Sequence, residues 1–362
     1  MFLAGFISAA LVLLADYFLW KKFFKGRGWL SLAWWLPTAL LGLFVIGAVS
    51  GLWHTFFMRA SYILVFVFVL PMLTFAVFHK LLGCRFSLAL SGVVILFCIY
   101  GMTVGFHKLE VTEDVIESDT LPDAFDGYRI VHLSDLHLGS YTEGSPFIDR
   151  IVDSVLALKP DLIVFTGDLV NVSAAEAVPF LGALGRLTAK DGVYAVTGNH
   201  DYGFNKSKVE ESFEEISAVM KGASWKMLNN SNVVIHRGAD SLFLAGVENT
   251  SKGFFISRGD LGKALDGAPE GAFKILLSHD PHHWRAEVLP ESDVDLTLSG
   301  HTHAMQLKIF SLSPARLLFK EWGGKYTSED GRTLFVSEGI GGIFPFRFGS
   351  YPQIVLLTLR KK

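Results

Sequence analysis

Five short polar motifs decide the fold of this chain, and each follows an apolar run that is typical of a strand. They are Asp135-Leu136-His137, Gly167-Asp168, Gly198-Asn199-His200-Asp201, His279 and Gly300-His301-Thr302-His303. The apolar runs before them are 131–134, 162–166, 193–197, 274–278 and 294–299. In α/β proteins, functional groups gather beyond the carboxyl ends of the strands. We therefore expect these Asp, Asn and His side chains to meet at one sheet edge and to form one metal site.

Strand and helix patterns alternate from about residue 127 and predict an α/β domain. Helical periodicity at 146–158, 174–187 and 209–221 separates the first strands. After residue 225 the pattern changes to consecutive strands at 232–236, 241–247, 274–278, 294–299, 333–337 and 354–359. This order indicates two stacked sheets flanked by helices over residues 127–362. The acidic stretch at 107–126 is interpreted as the linker that precedes them.

Residues 1–106 have the composition of a membrane region. The mean hydropathy of the whole chain is +0.39, and the excess lies in four apolar runs at about 1–20, 29–57, 61–78 and 86–106. Each run is near or above the ~18–20 residues that cross ~30 Å of hydrocarbon. We predict four transmembrane helices rather than a signal peptide followed by core helices, because the first run lacks a basic start and a cleavage site.

Basic residues in the short loops predict the orientation. The first loop carries Lys21, Lys22, Lys25 and Arg27, the second carries Arg59, and the third carries Lys80 and Arg85. Because Lys and Arg favour cytoplasmic loops, the first and third loops are expected inside the cell. The N-terminus and the domain at 127–362 are then extracytoplasmic, in a multi-pass protein of the cell membrane.

Charge and cysteine content argue against two kinds of site. The net charge of −3 does not favour nucleic acid as a partner. The two cysteines, Cys84 and Cys98, both lie in the membrane region. A thiolate metal site in the domain at 127–362 is therefore excluded.

The residue types of the motifs indicate the chemistry. Asp, Asn and His supply oxygen and nitrogen ligands, which suit Mn, Fe, Zn or Co. Two ions ~3.5–4 Å apart need a shared ligand, and Asp168 is the best candidate because a carboxylate can bridge with its two oxygens. A water between two ions becomes a hydroxide nucleophile near neutral pH, and the ions neutralise charge on a phosphoryl group. We therefore expect a two-metal hydrolase of phosphate esters.

The ordered motifs closely resemble those of the calcineurin-like metallophosphoesterases, which run D-x-H, G-D, G-N-H-(E/D), H and G-H-x-H. The resemblance covers about residues 128–360 and implies a four-layer α-β-β-α sandwich with two divalent metal ions. It implies that the first ion is bound by Asp135, His137, Asp168 and His303, and the second by Asp168, Asn199, His279 and His301. His200 matches the catalytic histidine of the family, and Asp201 is expected to orient it.

Two features outside the ligands bear on the substrate. The opening Ser134–Gly139 and the membrane region are similar to the YaeI/YkuE-type membrane-associated phosphodiesterases, which commonly continue G-H-T-H with G-G-Q. Here Ala304-Met305-Gln306 follows, which makes the loop stiffer and bulkier. The loop Gly339–Phe348 either binds the bilayer or an acyl chain, with Arg347 on a phosphate or head group, or is a turn packed against the core.

The leading hypothesis is a membrane-anchored phosphoesterase that hydrolyses a phosphodiester or pyrophosphate bond. A lipid-like or nucleotide-linked substrate is expected, with membrane lipids as neighbours, because a soluble substrate needs no membrane anchor. A related alternative is a pyrophosphatase of lipid A synthesis that acts on a UDP-linked acylated sugar, although the predicted orientation counts against it. A hypothesis from a different class is that the membrane region is a transporter or sensor regulated by a phosphoesterase domain, but its near lack of intramembrane charge disfavours transport.

Overall fold

The computed structural model describes residues 12–49, 54–203, 206–251 and 256–362. The chain divides into two compact units. The first unit contains Met1–Val104 and Phe344–Phe346, and the second contains Gly105–Ile343 and Arg347–Lys362.

The described part of the first unit is helical. Residues 12–19 are α-helical and continue into a π-helical turn at Trp20–Phe24. The other elements are α1 (Trp29–Ala33), α2 (Leu36–Val49), α3 (His54–Leu64), a π-helical turn at Val65–Val69 and α4 (Leu70–Thr103). Within α4, Gly83 has a non-helical backbone (φ 72°, ψ 172°), which interrupts the helix between the third and fourth predicted spans.

Two helical segments of the described residues are long and apolar enough to cross a membrane. They are Trp29–Gly47 and Phe56–His107. Most of the first predicted span, residues 1–11, lies outside the described residues, as do residues 50–53 of the second. The structure therefore supports membrane association, and the arrangement of four spans stays a prediction.

The second unit contains twelve strands and five α-helices in its described residues. The strands are β1 (Glu110–Ser118), β2 (Arg129–Leu133), β3 (Leu162–Phe165), β4 (Val193–Ala195), β5 (Lys226–Met227), β6 (Ser231–Arg237), β7 (Asp240–Gly246), β8 (Phe273–Leu277), β9 (Leu296–Ser299), β10 (Gly324–Thr327), β11 (Thr333–Val336) and β12 (Gln353–Lys361). The helices are α5 (Pro146–Ala157), α6 (Leu181–Leu184), α7 (Val209–Gly222), α8 (Leu261–Ala264) and α9 (Leu289–Glu291).

The strands form two six-stranded sheets, which confirms the mixed α/β class with two sheets. The first sheet has the order β1-β12-β2-β3-β4-β5, and the second has the order β10-β11-β9-β8-β7-β6. Strands β2 to β5 run parallel to one another, as do β7, β8, β9 and β11. The carboxyl ends of neighbouring parallel strands therefore lie on the same edge of each sheet.

Side-chain alternation along the strands builds the core. In β3, Leu162 and Val164 belong to an apolar cluster shared by both sheets. Ile163 and Phe165 point the opposite way, into a cluster that includes the buried faces of α5 and α7. Because successive side chains of a strand face opposite sides of the sheet, a short run of four apolar residues is buried on both faces. This double burial sets the extent of β3, and Asp168 follows the end of the strand.

Candidate metal centre

The structure brings the seven predicted ligand positions together. The ligand atoms of Asp135, His137, Asp168 and His303 lie within 4.8 Å of one another, and those of Asp168, His279 and His301 form a second group of the same kind. The Oδ1 atom of Asn199 lies 3.2 Å from Nε2 of His279 and so adjoins the second group. Each group could hold one metal ion, and the two groups share the carboxylate of Asp168.

Asp168 is the shared residue. Its Oδ2 atom lies 3.5 Å from Nε2 of His137 in the first group and 3.2 Å from Nε2 of His279 in the second. Its Oδ1 atom accepts a 2.8 Å hydrogen bond from the backbone N–H of His200. The side chain is 1% exposed, so the protein excludes most water from the carboxylate and fixes its orientation.

Two glycines permit the close approach of the loops. A Cβ atom on Gly198 would lie 2.3 Å from Oδ1 of Asp168. A Cβ atom on Gly300 would lie 1.9 Å from Oγ of Ser134 and 2.3 Å from Oδ2 of Asp135. Such distances are far below van der Waals contact. The motif glycines are therefore required by the crowding of side chains around the centre.

Several ligands have left-handed backbone conformations. The φ angles are 55° at Asp135, 46° at His137, 58° at Asp168, 72° at His301 and 51° at His303. A non-glycine residue in this region costs of order 1–3 kcal/mol and is found most often at functional sites. These residues follow the ends of β2, β3 and β9, and their backbone conformations direct the side chains toward one another.

Hydrogen bonds at Nδ1 fix which imidazole nitrogen faces the centre. The Nδ1–H of His279 donates to the backbone carbonyl of Thr166 at 2.7 Å. The Nδ1 atom of His137 lies 3.2 Å from Oδ1 of Asn171, which can accept its proton. In the neutral form of each ring, Nε2 is then the lone-pair nitrogen. Such outer partners orient metal-binding histidines and set their tautomer.

The charges of the centre are coupled. Burial opposes the ionised form of Asp168, but three neighbouring imidazoles outweigh burial and hold the pKa of the carboxyl well below its usual range. Burial also opposes the charge of His279, yet the Asp168 carboxylate raises the pKa of that imidazole to about 10. Burial lowers the pKa of His137 to about 3 and that of His301 to about 4, and it holds the pKa of His303 well below its usual value. Three of the four imidazoles are thus neutral and able to bind a metal ion at pH 7.

The Asp201 carboxylate contacts the backbone of the loop that carries Asp168. The Asp201 carboxylate accepts hydrogen bonds from the backbone N–H groups of Asp168, Leu169 and Gly198, at 2.8–2.9 Å. The His200 ring instead places Nδ1 2.7 Å from the carbonyl of Asn171. Asp201 therefore holds the loop that carries Asp168. It does so because buried backbone donors need acceptors, and the carboxylate is the group beside them.

Arg347 has the contacts expected of the second alternative for its loop, a turn packed against the core. Its guanidinium is 0% exposed and donates to the backbone carbonyls of Gly341, Ser350 and Glu338 at 2.5–2.9 Å. One of its nitrogens lies 3.4 Å from Nδ1 of His303. The guanidinium thus donates to one carbonyl within the glycine-rich loop and to two carbonyls close to its ends. Arg347 is a buried cation next to His303, one of the predicted metal ligands.

Two residues that the sequence analysis missed adjoin the ligands. Asn171 binds His137 through its side chain and His200 through its carbonyl. Asp280 places Oδ2 3.9 Å from Nε2 of His301, the nitrogen opposite the one that faces His279. The available signals were weak, since Asn171 lies three residues after Asp168 and Asp280 directly follows His279. Neither spacing reveals a contact that forms only in the folded chain.

The donor set fits divalent metal ions. Buried carboxylate oxygens and neutral imidazole nitrogens converge in two adjacent groups, as hard and borderline metals require. A pair of such groups at the carboxyl edge of an α/β fold is a site for hydrolytic metal chemistry. The fold and the donor set are those expected of a centre for metal-dependent hydrolysis.

Comparisons with known proteins identify the family. A model of the calcineurin-like phosphoesterases matches residues 128–305. The chain is 30% identical to a Bacillus subtilis protein called uncharacterized metallophosphoesterase YkuE, over 70% of this chain and 86% of that protein. The chain therefore belongs to the calcineurin-like metallophosphoesterase family.

Two further relatives are named as a transmembrane protein and as a pyrophosphatase. The chain is 32% identical to a Danio rerio protein called transmembrane protein with metallophosphoesterase domain, over 73% of this chain and 60% of that protein. It is 25% identical to the UDP-2,3-diacylglucosamine pyrophosphatase LpxG of Chlamydia trachomatis, over 64% of this chain and 83% of that protein. The chain spans about 60% of the length of the Danio rerio relative and 63% of a Bos taurus relative of the same name.

Proposed function

We propose that the protein hydrolyses a phosphodiester or pyrophosphate bond with two divalent metal ions that share Asp168. The position of this carboxylate carries the proposal, because one oxygen lies 3.5 Å and 3.2 Å from Nε2 atoms of two different ligand groups. The first ion is assigned to Asp135, His137, Asp168 and His303, and the second to Asp168, Asn199, His279 and His301. The chemistry of these donors suits Mn, Fe, Zn or Co.

The chain's own groups have separate tasks. When bound, two metal ions supply an acidified water and positive charge for the phosphoryl oxygens. His200 donates Nδ1–H to the Asn171 carbonyl, so Nε2 is the nitrogen that can exchange a proton with the leaving-group oxygen. Asp201 holds the backbone around Asp168 in place. Burial of the centre strengthens each of these electrostatic interactions.

The membrane region supports a lipid-like substrate. We propose four spans and an extracytoplasmic catalytic unit, on the basis of the four apolar runs and the basic first and third loops. A tether of this kind keeps the centre near substrates in the bilayer. The LpxG relative favours a second candidate, a pyrophosphate bond in a nucleotide-linked acylated sugar. The proposed orientation favours a phosphodiester on the outer side.

Hydrolysis by the detergent-purified full chain tests this function. We would compare bis-p-nitrophenyl phosphate with p-nitrophenyl phosphate, with Mn²⁺ added or chelated, in the native chain and in His200→Ala. His236→Ala is the matched control, because His236 is exposed on β6 and lies outside the ligand groups. We expect Mn²⁺-dependent diester cleavage that is lost in His200→Ala and retained in His236→Ala. No hydrolysis by the metal-loaded native chain, or equal loss in both variants, would contradict the proposal.

A further inference from the structure

An exposed apolar segment directly follows the last metal-binding histidine. Residues 305–318, MQLKIFSLSPARLL, expose six large apolar side chains, namely Met305, Ile309, Phe310, Leu312, Leu317 and Leu318. The described part of the second unit exposes nine such side chains, and the remaining three are Val111, Val115 and Val178. We call residues 305–318 the apolar segment. A concentration of exposed apolar side chains marks an interaction site.

The tip of the segment holds Phe310 in solvent. Ile309 and Leu312 exchange two backbone hydrogen bonds of 2.9 Å, so Phe310 and Ser311 form a two-residue turn. Both turn residues have positive φ, 48° and 65°, a geometry that favours Asn and Gly. Phe310 is nevertheless 95% exposed. The conformational cost of placing a bulky ring here brings no burial within the described chain, which points to a partner outside it.

The base of the segment is fixed to the second unit. Ser313 Oγ donates to the carbonyl of Ala304 at 2.5 Å and accepts from the N–H of Ala315 at 3.0 Å. The N–H of Lys308 donates to the carbonyl of Phe348 at 2.8 Å. These bonds attach the turn and the short helix Pro314–Leu317 to the rest of the second unit. The apolar side chains are therefore displayed by a defined structure.

The charges around the segment select the kind of partner. Residues 301–320 contain Lys308, Arg316 and Lys320 and no Asp or Glu. Lys308 pairs with Glu338, while Arg316 and Lys320 are exposed. Exposed cations beside exposed apolar side chains fit the interface of an anionic lipid bilayer. The long apolar helices of the chain indicate that it is associated with a membrane.

We propose that the apolar segment is a lipid-docking surface that enters the interface of an anionic bilayer. This proposal goes beyond the proposed function and does not depend on the chemistry of the metal centre. Both ends of the segment adjoin that centre. His303 precedes it by two residues, and the ring of Phe319, which directly follows it, lies 5.7 Å from the ring of His301. A phosphate ester in the docked bilayer would reach the metal ligands along this surface.

Lipid quenching in nanodiscs tests the proposal on the full chain. In a Cys84→Ser, Cys98→Ser background, Phe310→Cys or Leu317→Cys would be labelled with a small fluorophore. Val178→Cys is the matched control, because Val178 is 56% exposed and lies on a different surface segment of the second unit. The discs would contain phosphatidylcholine and phosphatidylglycerol, with or without 5-doxyl phosphatidylcholine. Elution as a single monodisperse peak would establish that each variant is folded.

We expect the labels at 310 and 317 to lose at least about half of their fluorescence, because interfacial groups lie ~5–10 Å deep, within reach of the nitroxide. The label at 178 should change little. Arg316→Gln with Lys320→Gln should reduce the quenching at 310 in the anionic discs. Equal quenching at 178 and 310 would overturn the proposal. So would a label at 310 that is shielded from aqueous iodide without lipid quenching, since that result identifies a protein partner or a second copy of the chain.

Discussion

The Oδ2 atom of Asp168 lies 3.2 Å from Nε2 of His279, although the two residues follow strands of different sheets. Asp168 follows β3 of the first sheet and His279 follows β8 of the second. Their contact therefore joins the sheets at the metal centre. In the metal-free chain it is an ion pair, because the pKa of Asp168 lies well below its usual range and that of His279 is raised to about 10.

This ion pair predicts that metal binding releases a proton. At pH 8, His279 is protonated in the metal-free chain, whereas Asp135, with a pKa raised by burial to about 6, is already ionised. A metal ion needs the neutral imidazole, so the apparent affinity should rise with pH, by about tenfold per unit up to pH ~10. Calorimetry at pH 8 in buffers of different ionisation enthalpy measures the released proton. The proton release should disappear in His279→Asn. For the native chain, a binding enthalpy that is the same in all buffers would contradict the ion pair.

The sequence predicted that these side chains lie together, because the signal for their position is local. Each of Asp135, Asp168 and His279 lies two or three residues beyond the end of a buried apolar strand, so its place at the sheet edge is a property of a short segment. Asn171 and Asp280 were not predicted, because their contacts with His137 and His301 form only after the strands are aligned. Side-chain type and spacing contain no information on such outer contacts.

The loops were predicted less well than the strands. Arg347 is the one charge in a glycine-rich apolar loop, and the sequence left open a contact with phosphate or a turn packed against the core. The structure places the side chain inside, where it donates to the carbonyls of Gly341, Ser350 and Glu338, because buried carbonyls need donors. The apolar segment at 305–318 was not recognised, since its exposure follows from the turn at Phe310 and from no regular hydrophobic period.

Asn171→Ala should weaken metal binding. The substitution removes the Oδ1 acceptor for Nδ1 of His137 and keeps the backbone carbonyl that holds His200. Loss of an outer partner of a metal ligand typically lowers metal affinity or activity by ~10–100-fold. We expect a higher Mn²⁺ concentration for half-maximal activity, with recovery at excess Mn²⁺. Asn232→Ala is the control, because the Asn232 amide donates to the backbone carbonyls of Ala264 and Asp266. An equal effect of Asn232→Ala on the Mn²⁺ requirement would refute the role of Asn171.

Gly198→Ala should reduce activity while the chain remains folded. The added Cβ would lie 2.3 Å from Oδ1 of Asp168 and must displace the shared carboxylate. A misplacement of ~1 Å can cost ~10²-fold in rate, so we expect a loss of that order in kcat at saturating Mn²⁺. Gly182→Ala is matched to it, since nothing lies within 4 Å of the added atom. Full activity of Gly198→Ala would show that the crowding around Asp168 is relaxed in solution.

Arg347→Lys should lower stability more than substrate affinity. Lysine cannot reproduce the four hydrogen bonds that the buried guanidinium makes to carbonyls of Gly341, Ser350 and Glu338. Each acceptor left unpaired costs ~1–3 kcal/mol, so a loss of about 3 kcal/mol would lower the thermal midpoint by ~6–12 °C. Thermal unfolding and KM for the diester would be measured together. A raised KM with an unchanged midpoint would instead support a phosphate-binding role for Arg347.

Electron paramagnetic resonance of the Mn²⁺-loaded full chain tests the central claim most directly. If Asp168 is shared by two ions ~3.5–4 Å apart, the native chain should bind two Mn²⁺ and give the spectrum of an exchange-coupled pair. Asp168→Asn should lose the coupled signal and more than ~100-fold in activity, since even outer partners of metal ligands contribute ~10–100-fold. One isolated Mn²⁺ per native chain, with no coupling at saturating metal, would contradict the two-metal centre.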